Sequence, residues 1–522
     1  MHQTLNLWQR LTRTQWSFFW AGVTVGVAQI LYMIGLWVQD LQAGASPIIE
    51  PITVTTDLGR MFRAMEVEFY NLFSLPDFQL YGNSIDGVAA TGGAFIPGIG
   101  WPIVGMILGG WLVARMERET RAWAYYPPRV LLIAFFGGMI FSYGTRLAGG
   151  CTLNHLMGGL PMMNIHSIVT VIFMAIGGAS GFYLLSRLGV APYFKHQETR
   201  SYVCGNDDPG ESMTCPPSGK RGYQSPLYWV GLVFAGFFIA AALYGGLFNP
   251  QSLQHLASGE LQAFNKSIAD EGGYYVILTL LAGIVAGIGL AKSGMGTECA
   301  LVSWEAGHMM TKHDGFYARM GVPRITRTLM RSYLPIIGLM AHWVVMLAFI
   351  VIAWVVFNVS PGFYGEPIYQ TTAGSLIGGV LLGMGAVMLI GCEVRSYMRI
   401  GMGYYNTLVG FIGFAVGYLP YSLHYDAHKE FLESSVMIET YKVYEWIAPD
   451  SIVIQKLVLT FWWVLLLVGL LKMIQWGARN TGASPGNLVF RNTEEVQHVI
   501  DGKAADGKIG DVGIPAPARA SA

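Results

Sequence analysis

Charged residues are scarce in this chain. Asp, Glu, Lys and Arg make up 12% of its 522 residues, about half the usual share of a soluble domain. With 53% of residues hydrophobic and a mean hydropathy of +0.44, too little charge is present to clothe a water-facing surface, and lipid is the expected solvent. Neither sign prevails, because 32 basic and 32 acidic residues leave a formal net charge of zero. That balance lacks the basic footprint of a nucleic-acid binder, so no nucleic acid is expected as a partner. No G-x-x-x-x-G-K-[ST] run occurs, so the chain holds no P-loop ATPase of its own. Cysteine is rare too, at five residues. Their spacing offers no repeated pair of the kind that binds zinc, and neither a metal nor a cofactor is expected.

What is abundant points to helices in a bilayer. The 66 Gly and 15 Trp suit close helix contact and interfacial anchoring. A span needs about 20 mostly apolar residues. Ten segments qualify, near 17–38, 94–114, 130–149, 164–186, 227–248, 273–291, 334–357, 373–390, 404–420 and 457–476. The polar start, MHQTLNLWQRLTRTQW, leads directly into the first of them, which reads as a retained span without a cleavable signal. The expectation is an all-α polytopic membrane protein of about ten transmembrane helices.

Loop charge sets its orientation. With a cytoplasmic N-terminus, the inside loops carry Arg115, Arg118, Arg121 and Arg129, then Arg187, Lys195, Arg200, Lys220 and Arg221, then Lys292, Lys312, Arg319, Arg324, Arg327 and Arg331. The outside loops hold Arg60, Arg63, Lys266, Lys429 and Lys442. Both termini are therefore expected in the cytoplasm, below a bacterial inner (plasma) membrane. Four regions follow: a first transmembrane repeat over 1–190, a cytoplasmic linker over 191–226, a second repeat over 227–476, and a polar cytoplasmic tail over 477–522 expected to be partly disordered.

The word repeat rests on two stretches. GGMIFSYGTRLAGGC, Gly137 to Cys151, and GGVLLGMGAVMLIGC, Gly378 to Cys392, match at a constant offset of 241 positions. Gly137, Gly138, Gly144, Gly150 and Cys151 fall on Gly378, Gly379, Gly385, Gly391 and Cys392. They are the third and eighth spans, five apart, so the copies run oppositely through the membrane. Two inverted repeats of five, with Gly-rich broken helices or re-entrant loops, are a plan of transporters that puts the substrate at the repeat interface.

Three cysteines share one setting. Cys151 lies in GTRLAGGCTLNHLMGG, Cys299 in AKSGMGTECALVSW and Cys392 in LIGCEVRSYMRIGMG, each just after an apolar span in a Gly-containing segment. A buried cysteine is often only a small hydrophobe. Three so placed suggest more, because irregular backbone at membrane depth is tolerated where protein or a water-filled cavity satisfies it. A thiol also offers a soft, weakly donating contact. Cys204 and Cys215, in the polar linker, face the reducing cytoplasm as free thiols and take no transport role.

These segments resemble the YeeE/YedE family of sulfur-compound transporters, which includes thiosulfate importers. The block Arg146 to Thr152, which contains Gly149 and Gly150, looks like its first hallmark, and Gly391, Cys392, Arg395, Gly401 and Gly403 like its second. Ser293 to Cys299 is similar to a third element, departing from it at Lys292 and in the intervening Gly-Met-Gly-Thr-Glu. The likeness covers roughly 90–190 and 270–420, and the 39–87 outer loop, the linker and the tail look like additions. The resemblance implies a small sulfur anion passing cysteines by transient S–H···S contacts, and a TusA-like cytoplasmic sulfur carrier as partner. Chain direction puts Cys151 nearer the outside, and Cys299 and Cys392 nearer the cytoplasm.

Arg146 and Arg395 flank cysteines and could balance an anion, while Asn154 and His155 could donate to it. Glu298 reads as structural or proton-coupling, and His308 and His342 as helix-packing residues. Two rivals come from other classes. A membrane-bound sulfurtransferase would form a persulfide on a cysteine beside a cation, as Cys392 near Arg395. A redox subunit would hold haem between facing histidines, for which His342 and His166 are too few.

Overall fold

In lipid every backbone N–H and C=O must be satisfied within its own segment, so the apolar runs become long helices. The computed structural model describes residues 15–42, 47–55, parts of 58–81, 100–117, 128–188, 272–294, 307–315, 324–362, 370–389 and 391–505. The expected span 227–248, the linker with Cys204 and Cys215, and the pair Glu298 and Cys299 lie outside the described residues. The helices are α1 (Phe18–Gln42), α2 (Trp101–Glu117), α3 (Pro128–Leu147), α4 (Ile165–Arg187), α5 (Gly272–Ser293), α6 (Arg324–Arg331), α7 (Leu334–Val356) and α8 (Ala373–Leu389). They continue as α9 (Glu393–Met402), α10 (Tyr405–Leu423), α11 (Tyr425–Ser434), α12 (Val443–Ile447), α13 (Ile452–Thr481), α14 (Pro485–Phe490) and α15 (Thr493–Ala505).

The chain is an all-α polytopic membrane protein. Among the described residues, 7 helices are long and apolar enough to cross a membrane, with α8 and α9 counted as one span. The pair α10 and α11, bent by 75°, raises that to 8. The expected second span is the shorter apolar helix α2. Strand pairing among these residues is confined to two short ladders and the isolated bridge Asn164–Lys442. Ile48–Ile49 runs parallel to Ser360–Pro361, and Thr371–Thr372 antiparallel to Val436–Ile438.

Helices α3 and α8 pack against each other, with α10 along α3 and α4 along α8. Small residues set this core, since apolar side chains gain nothing over lipid by meeting each other and close backbone packing must hold the helices together. A Cβ on Gly137 would lie 2.7 Å from that of Met388, and one on Gly385 2.7 Å from the Cα of Phe141. A Cβ on Gly144 would meet Leu381 at 2.9 Å, and one on Gly378 would meet Ala148 N at 2.5 Å. Position rises along α3 as it falls along α8, so the two helices are antiparallel. At the periphery α13 shows lipid a row of exposed apolar side chains, including Leu457, Phe461, Val464 and Val468.

Two segments differ from expectation. The 39–87 loop is not merely an outer addition, because its 48–55 stretch and Leu58 enter the core. Ile49, Ile52, Val54 and Leu58 are buried there, and the Ile52 N–H reaches the buried Gln29 side chain of α1 at 2.7 Å. Apolar alternation in a short, turn-rich stretch carries no depth information, and only the partner helices reveal it. In the tail, α13 runs on to Thr481 and is followed by α14 and α15. Gly482 stops α13 at φ 68°, Ser484 caps α14 ahead of Pro485, and Leu488, Val496 and Ile500 are buried. Polar composition hid that three-residue apolar face. The tail also reaches the N-terminal segment, where Ser17 Oγ donates to Val489 O at 2.6 Å.

Candidate functional site

The turn before each described cysteine closes in the same way. Gly150 N–H reaches back to Thr145 O at 2.9 Å, and Gly391 N–H to Ala386 O at 3.0 Å. Each bond spans five residues, one more than an α-helix allows, and each falls one residue before a cysteine. Gly149 takes φ 67°, a left-handed conformation that glycine adopts without steric cost. After Cys151 the chain enters a fully buried π-helical segment, Leu153–Gly159, a rare geometry frequently found at functional sites. After Cys392, which caps it, α9 begins on Glu393.

His166 and His155 brace the first turn. His166 Nε2 donates to Ala148 O at 2.6 Å, and its Nδ1 lies 2.8 Å from Ser375 Oγ and 3.0 Å from Gln370 O. Both of its ring nitrogens are thus engaged with α8 and the Gly-Gly-Cys turn, so it is not placed as an axial haem ligand. His155, its ring 5.0 Å from that of His166, meets Ser167 Oγ at 3.1 Å. His342 is fully buried, and neither of its ring nitrogens has a hydrogen-bond partner among the described residues. The expected packing role therefore comes without hydrogen bonds. His308 is exposed rather than packed between helices, although its neighbour Gly307 packs closely on Met330 and Tyr333. Among the described residues no group of three or more His, Cys, Asp or Glu is placed to hold a metal ion.

A buried polar cluster joins these turns. The Cys151 thiol donates to Asn154 Oδ1 at 3.2 Å and also lies within hydrogen-bonding reach of Thr55 and Glu393. Glu393 Oε1 accepts from Tyr397 OH at 2.5 Å, and its Oε2 faces Thr55 Oγ1 at 3.5 Å. Arg146, at the last turn of α3, donates from Nη2 to Thr55 O at 2.7 Å and to Tyr418 OH at 3.0 Å. Its guanidinium also stacks 4.5 Å from the centre of the Tyr418 ring. Tyr418 OH completes the ring of contacts with a 2.9 Å bond to Thr55 O. All seven side chains are buried. Arg146 and Glu393 therefore form an opposite-charge pair bridged by Thr55, the compensation that buried charges require.

Of the residues singled out by sequence, Cys151, Arg146 and Asn154 meet in this cluster, while Gly149 and Gly150 shape the turn that delivers them. Thr152 is buried beside it, and its hydroxyl has no partner among the described residues. Arg395 is buried one turn into α9 with its stem over Gly391. Thr55, Glu393, Tyr397 and Tyr418 were missed. An acid directly after the hallmark cysteine was a usable signal, because ionisable groups at membrane depth are functional by default. The others carry none, since each comes from a distant element. Chemically the site gathers a cation, three hydroxyls and a thiol, a donor set for a small anion, with one acid among them.

Comparison with known proteins follows this geometry. Residues 2–180, about a third of the chain, match the family model described as Sulphur transport. That match takes in the 39–87 loop. Thiosulfate transporter TsuA of Spirochaeta thermophila is 31% identical over 88 residues, 17% of this chain and 27% of that protein. The aligned part thus spans about a quarter of that relative's length. Residues 2–180, which carry Arg146, Cys151 and the π-helical turn, are thus similar to the sulphur-transport family.

Proposed function

We propose that this chain moves a small sulfur-containing anion, thiosulfate or a related compound, across the bacterial inner membrane. The observation that carries the reading is the buried meeting of the Cys151 thiol with Arg146, Thr55 and the start of α9, most of it within the stretch 2–180 that matches the sulphur-transport family model. The likeness to a thiosulfate transporter supports the substrate class. The path runs past Cys151, Cys299 and Cys392, whose thiols touch the substrate weakly enough to release it, as conduction requires. Arg146, Arg395, Thr152, Asn154 and His155 line it, and Gly149, Gly150 and Gly391 let the backbone approach.

The antiparallel packing of α3 and α8, with the matching closures before Cys151 and Cys392, supports two inverted repeats, 1–190 and 227–476. The loop charges favour cytoplasmic termini and linker, where a TusA-like sulfur carrier would collect the substrate. The test is uptake of sulfur-35 thiosulfate by cells expressing the chain. Label should accumulate intact and above the empty-vector level. Accumulation no greater than in the control would refute the reading, and label recovered only as protein persulfide would favour a sulfurtransferase.

A further inference from the structure

We propose that Glu393 is a proton site linked to anion passage, its carboxyl taking up a proton when the anion occupies the place beside Cys151. The proposal rests on the transport reading above and adds the coupling ion. Glu393 is buried with 1% of its surface exposed, and its two carboxyl oxygens face Tyr397 OH and Thr55 Oγ1. It also reaches the Cys151 thiol, so an anion that touches that thiol arrives against a carboxyl group. In a low-dielectric site such like-charge contact is strongly unfavourable.

The charges that bear on this group can be named element by element. Helix α3 brings Arg146, the turn after it brings Cys151, and α10 brings Tyr418. On α9 itself Tyr397 bonds the carboxyl, while Arg395 and Arg399 are buried further along. Helix α2, packed on α9, carries the exposed Arg115 in its last turn, and α5 carries the buried Lys292 in its last turn. The 48–55 segment carries Glu50, away from the buried Thr55 end.

Within the cluster, Arg146 and an ionised Glu393 cancel. A dianion then enters with no net compensation. A proton on Glu393 removes the repulsion and frees the field of Arg146 for the anion, while the protonated carboxyl gains an O–H that can donate. Anion and proton therefore stabilise each other's binding, and by linkage each raises the affinity for the other equally. The proton comes from the water phase the anion leaves and returns to the phase it enters, and no bond to sulfur forms or breaks.

The experiment uses the purified full-length protein in proteoliposomes, with sulfur-35 thiosulfate uptake followed as external pH is raised at fixed internal pH. Wild-type initial rates should fall on the alkaline limb, by up to about tenfold per pH unit for a one-proton requirement. Glu393→Gln, neutral at every pH, should transport with a flat profile, and Glu393→Asp should keep the slope. A wild-type slope in Glu393→Gln, or a flat wild-type profile, overturns the proposal. If Glu393→Gln does not fold, the wild-type protein still decides. Thiosulfate added to it in weakly buffered detergent with a pH-indicator dye should draw protons from solution, and no uptake on binding overturns the proposal. Vesicles that neither take up nor bind thiosulfate at any pH would instead overturn the transport reading, and the proposal with it.

Discussion

Replacing Arg146 with Met tests whether its charge holds the cluster together. Met keeps an unbranched apolar side chain of similar reach but removes the guanidinium over the Tyr418 ring and its bonds to Thr55 O and Tyr418 OH. It also leaves Glu393 buried without its opposite charge. Breaking a buried charge pair from one side costs about 3–5 kcal/mol. The lower end applies here, because Tyr418 OH still donates to Thr55 O at 2.9 Å and that carbonyl is not orphaned. The expected destabilisation is thus about 3 kcal/mol. Glu393→Gln should cost less, since Tyr397 and Thr55 can still bond an amide. In the Arg146→Met background it should restore much of the loss, giving a coupling of about 2 kcal/mol. The assay is reversible unfolding of the four purified proteins in mixed micelles. Costs that add within about 0.5 kcal/mol would show that Arg146 and Glu393 do not act as a pair, and the electrostatic account of the site would fall.

Thiosulfate uptake in a Cys151→Ala, Cys392→Ala double variant should fall to near background with membrane expression retained, and Ser at either site should rescue only partly. Near-normal flux would return both thiols to plain packing. Gly385→Val puts branched methyls where a Cβ already lies 2.7 Å from the backbone of Phe141, so a loss of about 3 kcal/mol should appear in thermal unfolding, and an unchanged midpoint would contradict the close α3–α8 contact. An impermeant thiol reagent should label Cys204 and Cys215 in inverted vesicles but not in intact cells; the opposite pattern inverts the topology. Val496→Asp buries an unpaired charge in the docked tail, where Val496 is fully buried, and should expose 477–505 to limited proteolysis without abolishing membrane insertion. Protection equal to wild type would deny that docking.

Much of this protein was legible before any coordinates. Apolar runs of span length dictate helices because lipid leaves the backbone no other partner, and every expected span within the described residues coincides with a helix. The Gly-Cys segments were legible as breaks, since glycine at such density weakens a regular helix and permits the left-handed turn seen at Gly149. What sequence could not supply is proximity. Thr55 belongs to a stretch that reads as an outer loop, Tyr418 to an ordinary apolar helix, and Glu393 to an unremarked position of a motif. Only the packing of α3, α9 and α10 around the inserted 48–55 segment joins their polar atoms to Cys151 in one bonded cluster. Local pattern reports which face of one helix is apolar, whereas a buried polar cluster is a property of several elements at once. Its members satisfy one another because burial removes them from bulk water.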